Sequence, residues 1–135
     1  MKKVEGIARD TLKFILAVST DSHPYEFAGF LRAKEGVITE VLFLPGTESS
    51  KVSAILRLEM MPLDPSAIGT VHSHSTSNLK PSRADLELFA KRGDYHIIAC
   101  YPYGENNWRC YDSLGRQRDL KVLDIEFDEE RWEYD

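Results

Sequence analysis

The sequence is poor in cysteine and has no long uninterrupted apolar segment. Two cysteines in 135 residues cannot form the disulfide framework that is typical of small secreted domains. No segment approaches the roughly 20 uncharged apolar residues that a membrane-spanning helix needs. Near the N-terminus, Glu5 and the polar residues 9–11 interrupt any apolar run of a signal peptide. We therefore expect a cytoplasmic protein without a membrane partner.

The sequence also lacks an excess of positive charge. Lys and Arg number 17 against 22 Asp and Glu, which gives a formal net charge of -5. Residues 128–135 hold five acids and one arginine, so this tail carries -4 and the other 127 residues carry only -1. A nucleic-acid-binding protein would show a basic patch, so we expect no nucleic-acid partner.

The hydrophobic pattern predicts helices mixed with strands in one domain. Residues 8–22 show helical spacing through Leu12, Ile15 and Leu16, and residues 82–92 predict a second helix that ends at Gly93. The predicted strands cover residues 26–32, 37–44, 50–58, 68–74, 95–101, 108–112 and 120–127. This order predicts an α/β or α+β fold, with a mixed or mostly antiparallel sheet and two main helices.

The segment 72–85 contains three candidate metal ligands. Side chains alternate along a strand, so His72 and His74 point to the same face and can converge on one ion. Asp85 lies in the first turn of the next predicted helix, where a loop can bring it back to the histidines. Two imidazoles and one carboxylate suit zinc, and a set of three protein ligands leaves the fourth position open for water.

Each part of this pattern has a simpler explanation when it is taken alone. A His-x-His pair on a strand can be accidental, with one imidazole hydrogen-bonded in the core. Ser82 and Asp85, followed by Leu86, also fit a helix capping box. On this reasoning, we expect that Asp85 cannot easily bind zinc and also reach back to the cap.

The complete spacing is more specific. His-Ser-His at 72–74, seven residues, Ser82, two residues and Asp85 resemble the signature of the JAMM (MPN+) metalloproteases. That signature also calls for a glutamate on an early strand, and Glu26 occupies such a position. The resemblance extends over residues 1–127, and residues 95–103 resemble the compact archaeal members of the family.

The resemblance implies a fold and a role for each residue of the signature. It implies the MPN/JAMM fold, a curved, mostly antiparallel sheet flanked by helices, with residues 1–127 as the catalytic domain and 128–135 as an acidic C-terminal extension. One Zn²⁺ would be held by His72, His74 and Asp85. Glu26 would be the general base for the attacking water, and Ser82 would donate a hydrogen bond to the oxyanion.

One position departs from the family pattern. Most relatives have proline directly after the second histidine, whereas this chain has Ser75. The substitution leaves the ligands unaffected. It leaves undetermined the shape of the loop from Ser75 to Pro81, which borders the substrate groove.

The resemblance further implies a protease that acts on ubiquitin-like modifier proteins. Such enzymes hydrolyse the bond after the C-terminal Gly-Gly and release the modifier from lysine-linked conjugates, and the archaeal relatives are called desampylases. A thin Gly-Gly tail can lie extended along a sheet edge. Three alternatives remain: processing of a sulfur-carrier protein with a Gly-Gly tail, a non-catalytic MPN interaction domain, and a binding module with a structural metal. A homodimer is also left open.

The two cysteines and the other two histidines are assigned no part in the metal site. Cys100 and Cys110 flank the predicted turn at 104–107, where they would face each other on adjacent strands. A disulfide is geometrically feasible there, and two reduced, half-buried thiols are the alternative. We interpret His23 and His96 as structural.

Overall fold

The described part of the chain, residues 3–43, 55, 58–62 and 64–125 of the computed structural model, is a sheet flanked by helices. The helices α1 and α2 span Arg9–Ser22 and Arg83–Lys91. The strands are β1 (Gly6–Ala8), β2 (Ala28–Lys34), β3 (Val37–Phe43), β4 (Ala67–His74), β5 (Tyr95–Cys100), β6 (Trp108–Tyr111), β7 (Gln117–Arg118) and β8 (Lys121–Leu123).

The sheet is strongly curled. Its strand order is β7-β6-β5-β4-β2-β3-β1-β8, so β7 and β8 form the two opposite edges. Only Asp119 and Leu120 join these edge strands, and three Cα–Cα steps of about 3.8 Å reach at most roughly 11 Å. Four of the seven pairings in the described sheet are antiparallel. The predicted curved, mostly antiparallel sheet flanked by helices is confirmed.

Strand β4 lies inside this sheet and carries the two histidines at its end. It pairs antiparallel with β2 and parallel with β5. Its alternating side chains enter two different core clusters: Val71 packs with the α1 side of the sheet, and the opposite face meets Phe89 of α2, whose ring centroid lies 6.3 Å from that of His72. The period-2 pattern therefore directs His72 and His74 towards α2, as the sequence predicts.

Helix α1 has a buried face of apolar side chains and two small hydroxyl residues. The buried residues are Thr11, Leu12, Ile15, Leu16 and Ser19. The helix ends just before His23-Pro24, because the residue before a proline disfavours helical geometry. None of the helices in the described residues is long and apolar enough to cross a membrane.

The observed strands differ from the predicted ones in two places. Most of the strand predicted at 50–58 lies outside the described residues, but Ile55 and Leu58 are helical and buried, so that prediction is wrong there. These two residues are three apart, a helical spacing that the alternating pattern concealed. The short strands β1 and β7 were not predicted, since two or three residues carry no periodicity.

Residues 126–135, which include the acidic tail, lie outside the described residues.

The expectation that Cys100 and Cys110 face each other is wrong. In the antiparallel pair β5–β6, Cys110 lies opposite Ile97, and the N–H of Cys100 bonds to Asn107. Cys100 is three residues from Ile97, so the alternation of the strand places the two cysteines on opposite faces. Both are free and buried, which agrees with the alternative of two reduced thiols.

Candidate functional site

The end of β4 and the first turn of α2 bring three potential ligands together. The Nε2 atoms of His72 and His74 are 3.2 Å apart. His72 Nε2 lies 3.1 Å from Asp85 Oδ1, and His74 Nε2 lies 3.2 Å from Asp85 Oδ2. All three side chains are buried, with Asp85 fully so. The three residues predicted as ligands are thus assembled in one cluster.

The dimensions of this cluster fit one zinc ion. Ligands of a tetrahedral zinc site with bonds of about 2.0 Å are roughly 3.3 Å apart, and the three contacts given above are 3.1–3.2 Å. Their donor atoms all lie within 4.8 Å of one another. The described residues therefore present a site of two nitrogens and one carboxylate whose size and chemistry match a single Zn²⁺.

The hydrogen bond of His74 to Asn78 indicates which ring nitrogen is available to a metal. His74 Nδ1 lies 2.7 Å from the carbonyl oxygen of Asn78. A carbonyl only accepts, so Nδ1 carries a hydrogen and Nε2 is the ring nitrogen left for a metal. Nε2 faces a carboxylate oxygen of Asp85 and the ring nitrogen of His72. Such an electron-rich, buried arrangement is stabilised by a cation.

Asp85 also closes the cap of α2. Its Oδ2 accepts a hydrogen bond from the backbone N–H of Ser82 at 2.8 Å, and its own N–H donates to Ser82 Oγ at 3.1 Å. The expectation that Asp85 could not reach both the cap and the cluster is wrong, because a carboxylate offers several contact positions: Oδ2 contacts both the Ser82 N–H and His74, and Oδ1 contacts His72. The capping box therefore orients the ligand.

The pKa of Asp85 reflects these contacts. Burial by itself raises the pKa of this carboxyl, but the contacts with His72 and His74 and the hydrogen bond from the Ser82 N–H outweigh burial. They hold the pKa well below its ordinary value. Asp85 is thus ionised at neutral pH, as a metal ligand must be.

Glu26 is hydrogen-bonded to the backbone at the same end of β4. It lies two residues before β2, is 8% exposed, and accepts a hydrogen bond at Oε2 from the backbone N–H of Ser75 at 2.8 Å. The next residue, Phe27, exchanges two further hydrogen bonds with Ser73. The predicted base is therefore held beside the residue that follows His74.

The loop after His74 is fixed by three tyrosines that the sequence analysis did not assign to the site. The N–H of Tyr101 donates to Thr76 O at 3.0 Å, and the hydroxyl of Tyr111 donates to Leu79 O at 2.6 Å. The hydroxyl of Tyr103 donates to His74 O at 3.1 Å. These contacts hold the loop at Thr76 and Leu79. The sequence signals them only by a concentration of aromatic residues around the turn at 104–107, namely Tyr101, Tyr103, Trp108 and Tyr111.

His96 makes structural contacts away from the cluster. Its ring stacks on Phe89 at a centroid distance of 4.3 Å. Nε2 lies 2.9 Å from the Gly93 carbonyl, and Nδ1 lies 2.7 Å from the Thr70 hydroxyl, so Nε2 donates and Nδ1 accepts in the neutral ring. Burial lowers the pKa of His96 to about 4. His23 is exposed and contacts the Tyr103 hydroxyl through Nδ1 at 3.0 Å.

Comparisons with known proteins agree on one family. Residues 9–111 match the family described as prokaryotic homologs of the JAB domain. A probable metalloprotease of Haloferax volcanii is 42% identical over 135 aligned positions, which cover 93% of this chain and 83% of that protein.

Two solved structures are similar over almost the whole chain. One is the structure described as "JAMM: A Metalloprotease-like Zinc Site in the Proteasome and Signalosome". Its TM-score is 0.72 and its sequence identity is 38%, and the match covers 90% of this chain and 100% of that one. The other is a JAB1/MPN domain protein from Archaeoglobus fulgidus, with a TM-score of 0.73 and 39% identity over 88% of this chain and 99% of that one. Together with the zinc-sized cluster at the end of β4, these matches show that the chain belongs to the JAMM metalloprotease family, among the prokaryotic homologs of the JAB domain.

Proposed function

We propose that this protein is a zinc isopeptidase that hydrolyses the bond after the C-terminal Gly-Gly of ubiquitin-like modifiers and releases them from lysine-linked conjugates. The observation that carries the proposal is the buried cluster of His72, His74 and Asp85, together with a Glu26 carboxylate that is hydrogen-bonded to the residue after His74. Membership of a metalloprotease family supports the hydrolytic chemistry, and the modifier substrate is our extension of it.

In this proposal His72, His74 and Asp85 hold one Zn²⁺. Bound there, zinc supplies a Lewis acid that lowers the pKa of a water molecule and polarises the scissile carbonyl. The cluster in the described residues has three members, the number that catalytic zinc sites use, whereas structural sites use four. This favours a hydrolase over a binding module with a structural metal.

Glu26 is assigned the proton transfers. A carboxylate within reach of the attacking water can take a proton from it and deliver it to the departing nitrogen. This second transfer matters because the leaving group of an isopeptide is a lysine amine, which departs poorly unless it is protonated. The contact with Ser75 keeps Glu26 at the end of the strand that bears the histidines.

Ser82 is assigned the stabilisation of the oxyanion. Its Oγ accepts from the N–H of Asp85 in the cap, and a hydroxyl that accepts still has a hydrogen to donate. A donor aimed at the developing negative charge typically contributes about 10²- to 10³-fold to the rate. Ser82 would thus combine a cap that orients a ligand with a direct role in the reaction.

The substrate class separates the leading alternatives. Processing of a sulfur-carrier protein would cleave after the same Gly-Gly tail but release a small adduct such as cysteine. A non-catalytic MPN interaction domain would not need the ligand set that the cluster retains. The cytoplasmic location and the homodimer stay predictions.

The deciding experiment offers two substrates to the zinc-loaded protein. One is a ubiquitin-like protein joined to a lysine of a second protein, and the other carries a single cysteine after Gly-Gly. We expect cleavage of the lysine-linked conjugate that a chelator abolishes and that the variants Asp85→Ala and Asp85→Asn lack. Activity should also fade at acid pH, because protonated imidazoles release the metal. Cleavage of the cysteine adduct alone would favour the sulfur-carrier alternative, and cleavage of neither would refute the proposal.

A further inference from the structure

We infer that Tyr111 is a positioning residue for the metal site: through the loop after β4, its hydroxyl holds the Asn78 carbonyl that orients the imidazole of His74. Because His74 would hold the zinc ion of the proposed function, the inference rests on that function. Tyr111 lies on β6 and is not a member of the cluster of potential ligands, so it acts only through the loop.

The hydroxyl of Tyr111 makes a short hydrogen bond to the loop. It donates to the Leu79 carbonyl at 2.6 Å across 32 positions of sequence. The Tyr111 side chain is buried, its ring stacks on Phe89 at a centroid distance of 6.0 Å, and its backbone pairs with His96 of β5. The donor is therefore carried by a strand and a packed ring, which place a group more precisely than a loop does.

The peptide unit that joins Leu79 to Lys80 is held at both ends. Its carbonyl accepts from Tyr111, and its N–H donates to the side-chain oxygen Oδ1 of Asn78 at 2.9 Å. A peptide unit is planar, so the bond from Tyr111 also fixes the direction of the N–H that holds Asn78. The Asn78 side chain bonds to the backbone two residues further on, which makes a local turn. The position of Asn78 thus depends on the Tyr111 hydroxyl.

Asn78 passes this constraint to the metal ligand. Its carbonyl accepts a hydrogen bond from Nδ1 of His74 at 2.7 Å, which leaves Nε2 for the metal. A partner of this kind fixes the orientation of a ligating imidazole, and its loss typically costs 10- to 100-fold in metal affinity. Asn78 is itself exposed, so the packing of its own side chain does not hold it. The buried Tyr111 supplies the support from inside the fold.

A second anchor holds the loop closer to β4. The N–H of Tyr101 donates to Thr76 O at 3.0 Å. This anchor is a contact between backbone groups, so it remains when the Tyr111 hydroxyl is removed. Loss of that hydroxyl should therefore loosen the part of the loop around Asn78 without releasing the start of the loop, and we expect the effect on metal affinity to be at the lower end of the range.

The test compares two tyrosines that each lose one hydroxyl. Tyr111→Phe keeps the stacked ring, and we expect its dissociation constant for zinc to rise about 10-fold. The matched control is Tyr95→Phe at the other end of β5, because Tyr95 is also buried and its hydroxyl donates to Val4 O at 3.4 Å, away from the loop. Its zinc affinity should equal that of the wild type. Competition with a chromogenic chelator measures the affinities, and circular dichroism verifies that both variants are folded.

A second pair of variants acts on the other end of the same peptide unit. Asn78→Ala removes the acceptor of the Lys80 N–H but keeps the backbone carbonyl that contacts His74, and it should weaken zinc binding to a similar extent. Asn78→Asp retains an acceptor oxygen and should recover the affinity. Since Tyr111→Phe and Asn78→Ala release one peptide unit, the double variant should lose little more than either single variant.

The ring proton of His74 provides a spectroscopic readout. In NMR spectra of the zinc-loaded protein, the proton on Nδ1 of His74 should exchange with water faster in Tyr111→Phe and Asn78→Ala than in the wild type and Tyr95→Phe. Equal exchange rates in all four proteins would show that Tyr111 does not constrain the imidazole.

Two further outcomes would overturn the inference. One is wild-type zinc affinity in a folded Tyr111→Phe variant; the other is an equal loss in Tyr95→Phe, which would assign the effect to general destabilisation. If Tyr111→Phe does not fold, wild-type affinity in Asn78→Ala refutes the inference in its place. None of these measurements uses a substrate. A wild-type protein that binds zinc but cleaves no conjugate would therefore refute the proposed function, while the affinities still decide the role of Tyr111.

Discussion

Ser82 and Asp85 exchange two hydrogen bonds at the start of α2, and the same aspartate contacts both histidines of the candidate zinc site. Asp85 Oδ2 is 2.8 Å from the Ser82 backbone nitrogen and 3.2 Å from His74 Nε2. The carboxylate that caps the helix is thus the same group that contributes to the candidate zinc site.

Substitution of Ser82 tests that connection. In Ser82→Ala the Asp85 N–H loses its acceptor, so the free energy of unfolding should fall by about 1 kcal/mol. Zinc affinity should fall by roughly 10-fold, since the support of the ligand is weakened. Chemical denaturation and competition with a chelator measure the two effects. Ser82→Thr keeps a hydroxyl at the cap and should retain most of both; equal losses in the two variants would contradict the argument.

Replacement of Glu26 separates binding of the metal from turnover. Glu26→Gln keeps the size of the side chain but cannot accept a proton at neutral pH, so kcat should fall by about 10²-fold or more. Zinc content, measured by atomic absorption, should remain one ion per chain, because the cluster does not include Glu26. The exposed Glu87→Gln on α2 is the matched control. Retained activity in Glu26→Gln would remove this residue from the mechanism.

The stability of the protein should depend on pH through His96. Burial in the fold lowers the pKa of His96 to about 4 from an ordinary value of 6.5. Between pH 4 and pH 6.5, His96 is therefore protonated in the unfolded chain and neutral in the folded chain. Stability should therefore decline as the pH falls from about 6.5 to 4, by roughly 3 kcal/mol from this residue. Urea denaturation of chelator-treated protein at several pH values measures the decline.

His96→Gln is the control for this dependence. Glutamine does not titrate, so the variant should lose the part of the slope that His96 contributes, while any slope from His72 and His74 remains. Identical slopes in the variant and the wild type would show that His96 is not held in its neutral form.

The cysteines should be two thiols that react slowly. Thiol titration of unfolded protein prepared without reductant should find both Cys100 and Cys110 reduced, since they lie on opposite faces of the β5–β6 pair. In the folded protein their reaction should be slow, because both are buried and burial raises the pKa of Cys110 to about 12. A reduced sample provides the reference count; a lower count without reductant would reveal a bridge.

The sequence predicted the parts of the site that depend on local periodicity. His72 and His74 share a face because side chains alternate along a strand, and Ser82 precedes a helix because its residue type suits a cap. These relations extend over a few residues, so spacing alone expresses them. The identification of Glu26 needed the family signature, since one glutamate near a strand start has no distinctive pattern.

The relations that the sequence could not predict depend on how distant segments pair. The Ser75–Glu26 hydrogen bond requires the register of β2 on β4. The separation of Cys100 from Cys110 depends on the β5–β6 register, which pairs Cys110 with Ile97 and not with Cys100. The double use of Asp85 does not follow from the sequence, because capping the helix and binding the metal are each a reasonable role for one carboxylate and spacing cannot show that both are met. In the structure one carboxylate makes both sets of contacts, with Oδ2 shared between the Ser82 N–H and His74.

The interior position of β4 has a consequence for substrate recognition. In the described sheet this strand is hydrogen-bonded to β2 on one side and to β5 on the other, so its backbone has no side left for a third chain. The tail of the proposed substrate therefore could not add to β4 as a neighbouring strand, and near the histidines it would meet the loop that continues from β4. Selectivity would then reside in that loop, where exchange of a few side chains could retarget the protein while its zinc chemistry stayed intact.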